Sequence, residues 1–364
     1  MTSFSPATVS RADPATSALD GRRIVLDCRW LGRGGAGRVT ELVLAGLASD
    51  PPPGRWILWG DADRVSRFCF TGAEIAEWRG DPHALLGQRD LLRVPPGDVV
   101  VWLHQMRPLR PGRSVTFILD TIPLRHGGGR PTRLAKRAFL SAVARLSTRI
   151  LTISEFSRRS IASDLGMRPE ELAIVPLPED ERRARSIARL RAELEQEDVL
   201  LYLGRFDRHK NLEQLCVAFG RTRFAAAGGR LLLAGGWPGE VEFLRSRVEA
   251  SGPGAIELRG QCAETEVEHL LATSRALVQP SLEEGYGLPA FEAAASGLPV
   301  AASRTGGMVD LPEDAAVLFD PTDVEDMVRA LDEAVARPAR PPRAIVRGKP
   351  GRVVIAAAAA ALAS

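Results

Sequence analysis

A chain of 364 residues exceeds what one hydrophobic core usually organises, and it predicts two domains of roughly 150 residues each. Its composition, 45% hydrophobic and 26% charged, contains no apolar run near the roughly 18 residues of a membrane span, which argues against an integral membrane protein and for the cytoplasm. Net charge is +3, yet residues 1–180 carry +6 and residues 181–364 carry −3, so the two halves differ in the partners they attract.

Residues 1–21, "MTSFSPATVSRADPATSALDG", are polar and lack an apolar signal core, and they read as a disordered tail rather than an export signal. The runs "RRIVLD", "RWILWG", "VVVWLH", "SVTFILD", "RILTIS" and "LAIVPLP" follow, alternating with helical patterns in the manner of βαβ units. They predict a Rossmann-like domain over 22–180. Behind the first run, Gly32, Gly34 and Gly37 stand at G-x-G-x-x-G spacing. Glycines after a strand and before a helix suit any backbone that must approach a phosphate, so the loop alone does not identify its ligand. Cys28, Cys69, Cys216 and Cys262 form no C-x-x-C pair and predict neither a zinc site nor a disulfide scaffold.

Residues 107–149 hold ten basic residues and one acid, Asp120. Within them "RPTRLAKRAFLSAVARLSTR" places Ala135, Ala138, Phe139, Ala142, Val143 and Leu146 on an apolar helical stripe and Arg133, Arg137, Arg145 and Arg149 on an i+4 row. This is a packed helix with a solvated basic face, or a docking face for an anionic membrane or a lipid-diphosphate acceptor. Nothing points to nucleic acid.

The charged helical stretch 179–198, "EDERRARSIARLRAELEQED", marks a domain boundary at 180/181. Beyond it "VLLYLGR", "RLLLAGG", "AIELRG", "RALVQP", "PVAAS" and "AVLF" predict a second Rossmann-like domain over 181–337. The tail 338–364 is proline-rich and then an alanine-rich helix former. Ligands of such sheets bind beyond the carboxyl ends of the strands, so two facing domains make a cleft suited to two substrates.

The most informative stretch is "PSLEEGYGLPAFEAAASGLPVAAS", 280–303, where a strand turns through Gly285 and Gly287 into a helix. Glu284 precedes the turn and Glu292 lies near the helix start. Amides of the turn and the helix N-terminus offer donors to a phosphate or sugar oxygen, and a carboxylate beside them accepts from a vicinal diol. A carboxylate that merely favours the helix dipole is the other reading.

"EEGYGLPAFEAAASGLPV" resembles the Glu-x7-Glu motif of retaining glycosyltransferases of family 4, which have the two-domain α/β fold called GT-B. "YLGRFDRHKNLEQLCVAF" resembles the family's G-R-x-x-x-x-K-N segment, "LTISEFSRRSIASDLG" its S-x-F-S element, "GMVDLPEDAAVLFDP" its G-L-x-E to F-D-P element, and "VLDCRWLGRGGAGRVTELVLAGL" its glycine loop. The resemblance covers residues 22–337. It implies transfer of a mannose-like or glucose-like hexose, with retention and without a metal, from a nucleotide-diphosphate sugar to a glycan or lipid-linked acceptor of cell-surface polysaccharide synthesis. Arg205 and Lys210 would neutralise the departing diphosphate, as basic side chains do where no metal is held. Glu284 would contact the donor sugar, assisted by Gly285, Tyr286, Gly287 and Leu288; Glu292 would take the ribose hydroxyls; Cys262 would lie at the nucleobase; Gly34 and Gly35, with Arg38, would close over the diphosphate; Asp120 would join the catalytic group.

The family commonly has His before Asp120, where this chain has Leu119. Either the imidazole is dispensable or His104 or His126 approaches the same space. Two other readings stay open. An NAD-dependent dehydrogenase would use the glycine loop with Asp61 on the ribose, although "CRWL" separates Asp27 from Gly32. A catalytically degenerate scaffold subunit is favoured by Leu119 and opposed by intact Arg205, Lys210, Glu284 and Glu292.

Overall fold

The computed structural model describes residues 17–82, 93–109, 111–248 and 256–364. Most of the tail reading, over residues 1–16, therefore lies outside the described residues. Residues 17–21 do not fit it: Leu19 is fully buried, and its carbonyl accepts from the Arg22 amide at 3.0 Å. An apolar side chain two residues before Gly21 is enough to anchor the turn.

Among the described residues the strands form two parallel sheets. The first has seven strands in the order β3-β2-β1-β4-β5-β6-β7, with β1 (Arg23–Asp27), β2 (Arg55–Gly60), β3 (Ala73–Glu77), β4 (Val99–Trp102), β5 (Ser114–Phe117), β6 (Arg149–Thr152) and β7 (Leu172–Ile174). The second has six, β10-β9-β8-β11-β12-β13, with β8 (Val199–Leu203), β9 (Arg230–Ala234), β10 (Ile256–Arg259), β11 (Ala276–Gln279), β12 (Val300–Ser303) and β13 (Ala316–Phe319). All paired strands are parallel, and each sheet reverses direction of winding beside its first strand, at β1/β4 and β8/β11. This is the two-Rossmann GT-B arrangement. Twelve strands coincide with the apolar runs. The exception is β3, whose "AEIAE" sequence alternates and sits at the sheet edge, where one face needs no apolar cover.

The helices that position the site are α1 (Gly34–Ser49) after β1, α2 (Arg130–Arg145), α3 (Glu155–Leu165) after β6, α4 (Glu181–Glu193), α5 (Leu212–Phe219), α6 (Pro238–Val248), α7 (Glu264–Thr273), α8 (Leu288–Ala295) after β11, α9 (Val324–Ala336) and α10 (Pro350–Ala363). The charged α4 packs on α7 and α8 of the second sheet. Helix α10 crosses back to the first sheet, burying Val354, Ile355, Ala358, Ala359 and Ala361 against α1 and the β4–β6 region. Alanine makes that crossing close: Gly46 of α1 faces Pro350 and Gly351, with room for no side chain between.

The stripe predicted on α2 is corrected. Leu140, Val143 and Ala144 are its buried residues, whereas Ala135 and Ala138 are exposed, because only the C-terminal half of the helix lies on the sheet. The basic excess of 107–149 is also smaller at the surface than its count. Arg107 is buried and donates to Ser114, Thr116 and Ser147 hydroxyls, while Arg125 is held by Glu283 and Asp164. Arg110 lies outside the described residues.

Candidate active site

The carboxyl ends of both sheets face one cavity of about 350 Å³. Its walls come from the start of α1 (Gly35, Ala36, Val39), the segment after β5 (Leu119, Asp120, Ile122), the turn after β8 (Arg205, Asp207, His209, Lys210), the end of β11 (Gln279) and the loop into α8 (Glu284 to Pro289). Strand ends deliver these groups because the chain must leave each strand there, at the switch point of each sheet.

At its floor Lys210 Nζ donates to Glu284 Oε2 at 2.7 Å, with side-chain exposures of 14% and 13%. The same oxygen accepts from Ser281 at 3.0 Å and Gln279 at 3.3 Å. Burial alone would raise the Glu284 carboxyl, but the charge and hydrogen bond of Lys210 outweigh it and hold it below the ordinary carboxylate range. Lys210 belongs to the 3-10 turn Arg208–Lys210 rather than to the first turn of α5, which starts two residues later. Across the cavity Asp120 accepts from the Ile122 amide at 3.0 Å. Burial pushes its carboxyl up to about 6; Glu284 adds to the rise, and the Ile122 amide and Lys210 oppose it.

The loop carrying Glu284 is folded by close approaches that only glycine allows. Gly287 adopts φ +94° against Met308, and Gly306 adopts φ +63° against the Glu284 carbonyl. The S-x-F-S element explains itself here: Ser154 Oγ caps α3 through the Ser157 amide and also donates to the Gly285 carbonyl at 2.6 Å, joining the two domains. Tyr286 is likewise a joint, donating to the Leu177 carbonyl and stacking on Phe291 at 4.6 Å. A third joint flanks the cavity, where Arg125 and His126 of the first domain both meet Glu283.

Arg205 lines the cavity mouth and leans on Glu240 at 2.9 Å. Of the glycine loop, Gly35 reaches the cavity while Gly34, at φ +56°, shapes the entry to α1 and does not line it. Glu292 and Arg38 do not line it either: they bond to each other at 2.8 Å beside it. Cys262 sits in the loop after β10, its thiol 3.6 Å from the Gly260 carbonyl, outside the cavity.

Neither expected imidazole fills the space by Leu119. His104 lies against Trp30, ring centroids 4.0 Å apart and tilted by 33°, and accepts from the Met106 amide; His126 turns to Glu283 at 3.1 Å. The imidazole in the cavity is His209, from the other domain, 5.7 Å from the His126 ring. Sequence reasoning passed over it because it lies inside the R-x-x-x-x-K-N segment, where Arg205 and Lys210 draw the chemistry. Asp61, the ribose acid of the dehydrogenase reading, is occupied in capping residues 62–65 through the Asp63 and Arg64 amides. That reading loses its second recognition element.

A larger cavity of about 860 Å³ lies behind, between α1, residues 178–185 and the start of α10. It contains no Lys210–Glu284 equivalent, and four of its cations are paired, Arg38 with Glu41 and Glu292, Arg185 with Glu181, and Lys349 and Arg352 with Asp50. The smaller cavity has the chemistry. No helix among the described residues is long and apolar enough to cross a membrane.

Residues 185–349 match the family described as glycosyl transferases group 1. The chain is 29% identical over 184 residues to O-antigen chain mannosyltransferase B of Escherichia coli, covering 48% of each chain. It is 31% identical over 205 residues to MMP alpha-(1->4)-mannosyltransferase of Mycolicibacterium hassiacum, covering 54% of this chain and 47% of that one. The matched part thus spans about half the length of these curated relatives. Among solved structures, Anabaena Alr3699/HepE in complex with UDP-glucose superposes with a TM-score of 0.64 at 17% identity, over 94% of this chain and 93% of that chain.

Proposed function

We propose that this chain, whose residues 185–349 match the family described as glycosyl transferases group 1, transfers a hexose from a nucleotide-diphosphate sugar to a hydroxyl of a glycan or lipid-linked acceptor. The observation that carries the reading is the Lys210–Glu284 pair at the floor of a cavity between two facing sheet edges. As the bond from the sugar's anomeric carbon to the diphosphate breaks, its electron pair passes to the phosphate oxygen, and charge accumulates there. Lys210 and Arg205 supply the compensating positive charge, with the α1 and α8 N-termini beside them. The acceptor oxygen forms the new bond on the same face and its proton goes to the departing phosphate, which gives retention without an enzymic nucleophile. These basic groups remove the need for a metal. Glu284 holds the sugar, Glu292 the ribose once Arg38 yields it, and Asp120 the reacting face.

The names of the two mannosyltransferase relatives support a mannose-like donor, the UDP-glucose complex of the structural neighbour supports a glucose-like one, and the O-antigen enzyme supports a role in surface polysaccharide synthesis. The exposed row of α2, with Leu134 60% exposed among Arg130 and Arg137, suits peripheral contact with the inner face of the cytoplasmic membrane. Thermal-shift titration with UDP, GDP, ADP and NAD tests the core of the proposal: one nucleoside diphosphate raises Tm, and a rise with NAD alone refutes it. Slow hydrolysis of the matching sugar nucleotide, unchanged by EDTA and lost in Glu284→Ala, separates an enzyme from a scaffold.

A further inference from the structure

Most polar side chains of the cavity already have protein partners. Lys210 and Glu284 hold each other, Gln279 donates to Ser281 and Glu284, and Arg205 reaches Glu240. His209 differs. Its ring lines the cavity, yet among the described residues no protein group forms a hydrogen bond to either ring nitrogen; its one ring contact is with His126.

The backbone beneath this ring is fixed. Arg208–Lys210 is a 3-10 turn closed by Asn211 at φ +60°, whose side chain donates to the Pro321 carbonyl at 2.8 Å. The His209 carbonyl itself accepts from the Leu282 amide at 2.8 Å, which ties the turn to the loop that carries Glu284. A backbone held this way keeps the imidazole at the cavity wall, where a ligand can meet it. Burial, reinforced by the neighbouring Lys210 charge, pushes the imidazole down to about 4, so at neutral pH it has one donor and one acceptor nitrogen. The segment after β5 lines the same cavity with Leu119, Asp120 and Ile122, and the Asp120 carboxylate accepts from the Ile122 amide.

The geometry points to His209 as the residue that reads a hydroxyl of the transferred hexose, and thereby sets which epimer the site accepts. An imidazole with an unused donor and acceptor, one residue from the lysine placed on the diphosphate, sits at the range of a sugar ring rather than of the base. A hydroxyl oriented away from it leaves both the hydroxyl and the ring nitrogen desolvated and unpaired, and such losses discriminate more strongly than a missing apolar contact. This inference rests on the donor site proposed above.

Calorimetry on the full chain with UDP, GDP, UDP-glucose, UDP-galactose, GDP-mannose and GDP-glucose tests it in wild type, His209→Ala and His209→Gln. The expected result is a roughly tenfold or greater loss of affinity for the preferred sugar nucleotide in His209→Ala, no change for its nucleoside diphosphate, and a narrowed preference between epimers. Gln, which keeps a donor and an acceptor, restores part of the loss. Equal affinities in wild type and both variants overturn the inference and leave the donor site standing. An equal loss for diphosphate and sugar nucleotide overturns it as well, because the ring then only supports the turn. Failure of wild type to bind any of the six removes the donor site and the inference with it.

Discussion

Arg38 Nε donates to Glu292 Oε1 at 2.8 Å, joining α1 of the first domain to α8 of the second. Arg38 also binds Glu41 at 2.6 Å, and Arg183 stands 3.7 Å from the other Glu292 oxygen. With exposures of 12% and 17%, the pair is poorly screened, and its partners hold the Arg38 guanidinium firmly protonated. A ribose can reach Glu292 only by displacing one of these cations. Arg38→Ala is therefore expected to cost about 1–3 kcal/mol in stability while strengthening nucleoside diphosphate binding several-fold. Glu292→Gln should weaken that binding. Denaturant titration and calorimetry on both variants measure the two effects separately, and weaker nucleotide binding in Arg38→Ala would instead make Arg38 a direct phosphate ligand.

Lys210→Ala leaves Glu284 buried with only the Ser281 and Gln279 donors. Breaking a buried pair by removing one partner typically costs 3–5 kcal/mol, and about 3 kcal/mol is expected here because the cavity admits water. Turnover should fall by at least about two orders of magnitude, since the charge on the departing diphosphate loses its nearest cation. The double variant Lys210→Met, Glu284→Leu is expected to regain stability but no activity. A double-mutant cycle by chemical denaturation gives the coupling.

Asp120 provides a pH signature. Its carboxyl is raised to about 6 from the ordinary value near 4, chiefly by burial, so the folded chain binds this proton more tightly than the unfolded one. Its contribution to stability is therefore highest below about pH 4 and declines as pH rises to about 6, by no more than about 3 kcal/mol. Asp120→Asn removes that decline. Its stability relative to wild type should improve between pH 4 and 6 and stay improved above, as followed by urea unfolding at pH 5, 7 and 8. Transfer by wild type should fall as pH drops below about 6, when the carboxylate is neutralised, and Asp120→Asn should be slow at every pH.

These groups differ in how far the sequence discloses them. Twelve strands are legible because buried parallel strands are continuous apolar runs, and Lys210 and Glu284 are legible because their motifs follow β8 and β11 directly. Strand β3 is not, since an edge strand with exposed residues lacks the run. The α2 stripe misleads because periodicity defines a face without saying how much of it meets a sheet. Partners across the cleft are the least legible. Arg38 and Glu292 are 254 positions apart, and His209 and His126 meet only because the two domains close on one another.

The crossing of α1 and α10 is the joint that returns the C-terminus to the first domain, and its closeness depends on two glycines. A Cβ on Gly351 would stand 3.0 Å from the Gly46 carbonyl carbon, and one on Gly46 would stand 3.0 Å from Pro350 and 3.1 Å from the Gly351 amide. Backbone on both sides cannot yield as a flexible side chain can, so Gly351→Leu must push the helices apart. The expected cost is about 1–3 kcal/mol, with α10 becoming a preferred site of limited proteolysis and donor turnover falling as the domains lose their strap. Gly239→Ala, in α6, meets open space and gains helix propensity, so it should leave stability equal or raise it by up to about 1 kcal/mol. Comparing the two variants by thermal unfolding and protease mapping isolates the crossing, because both replace a helical glycine and only one of them meets another helix.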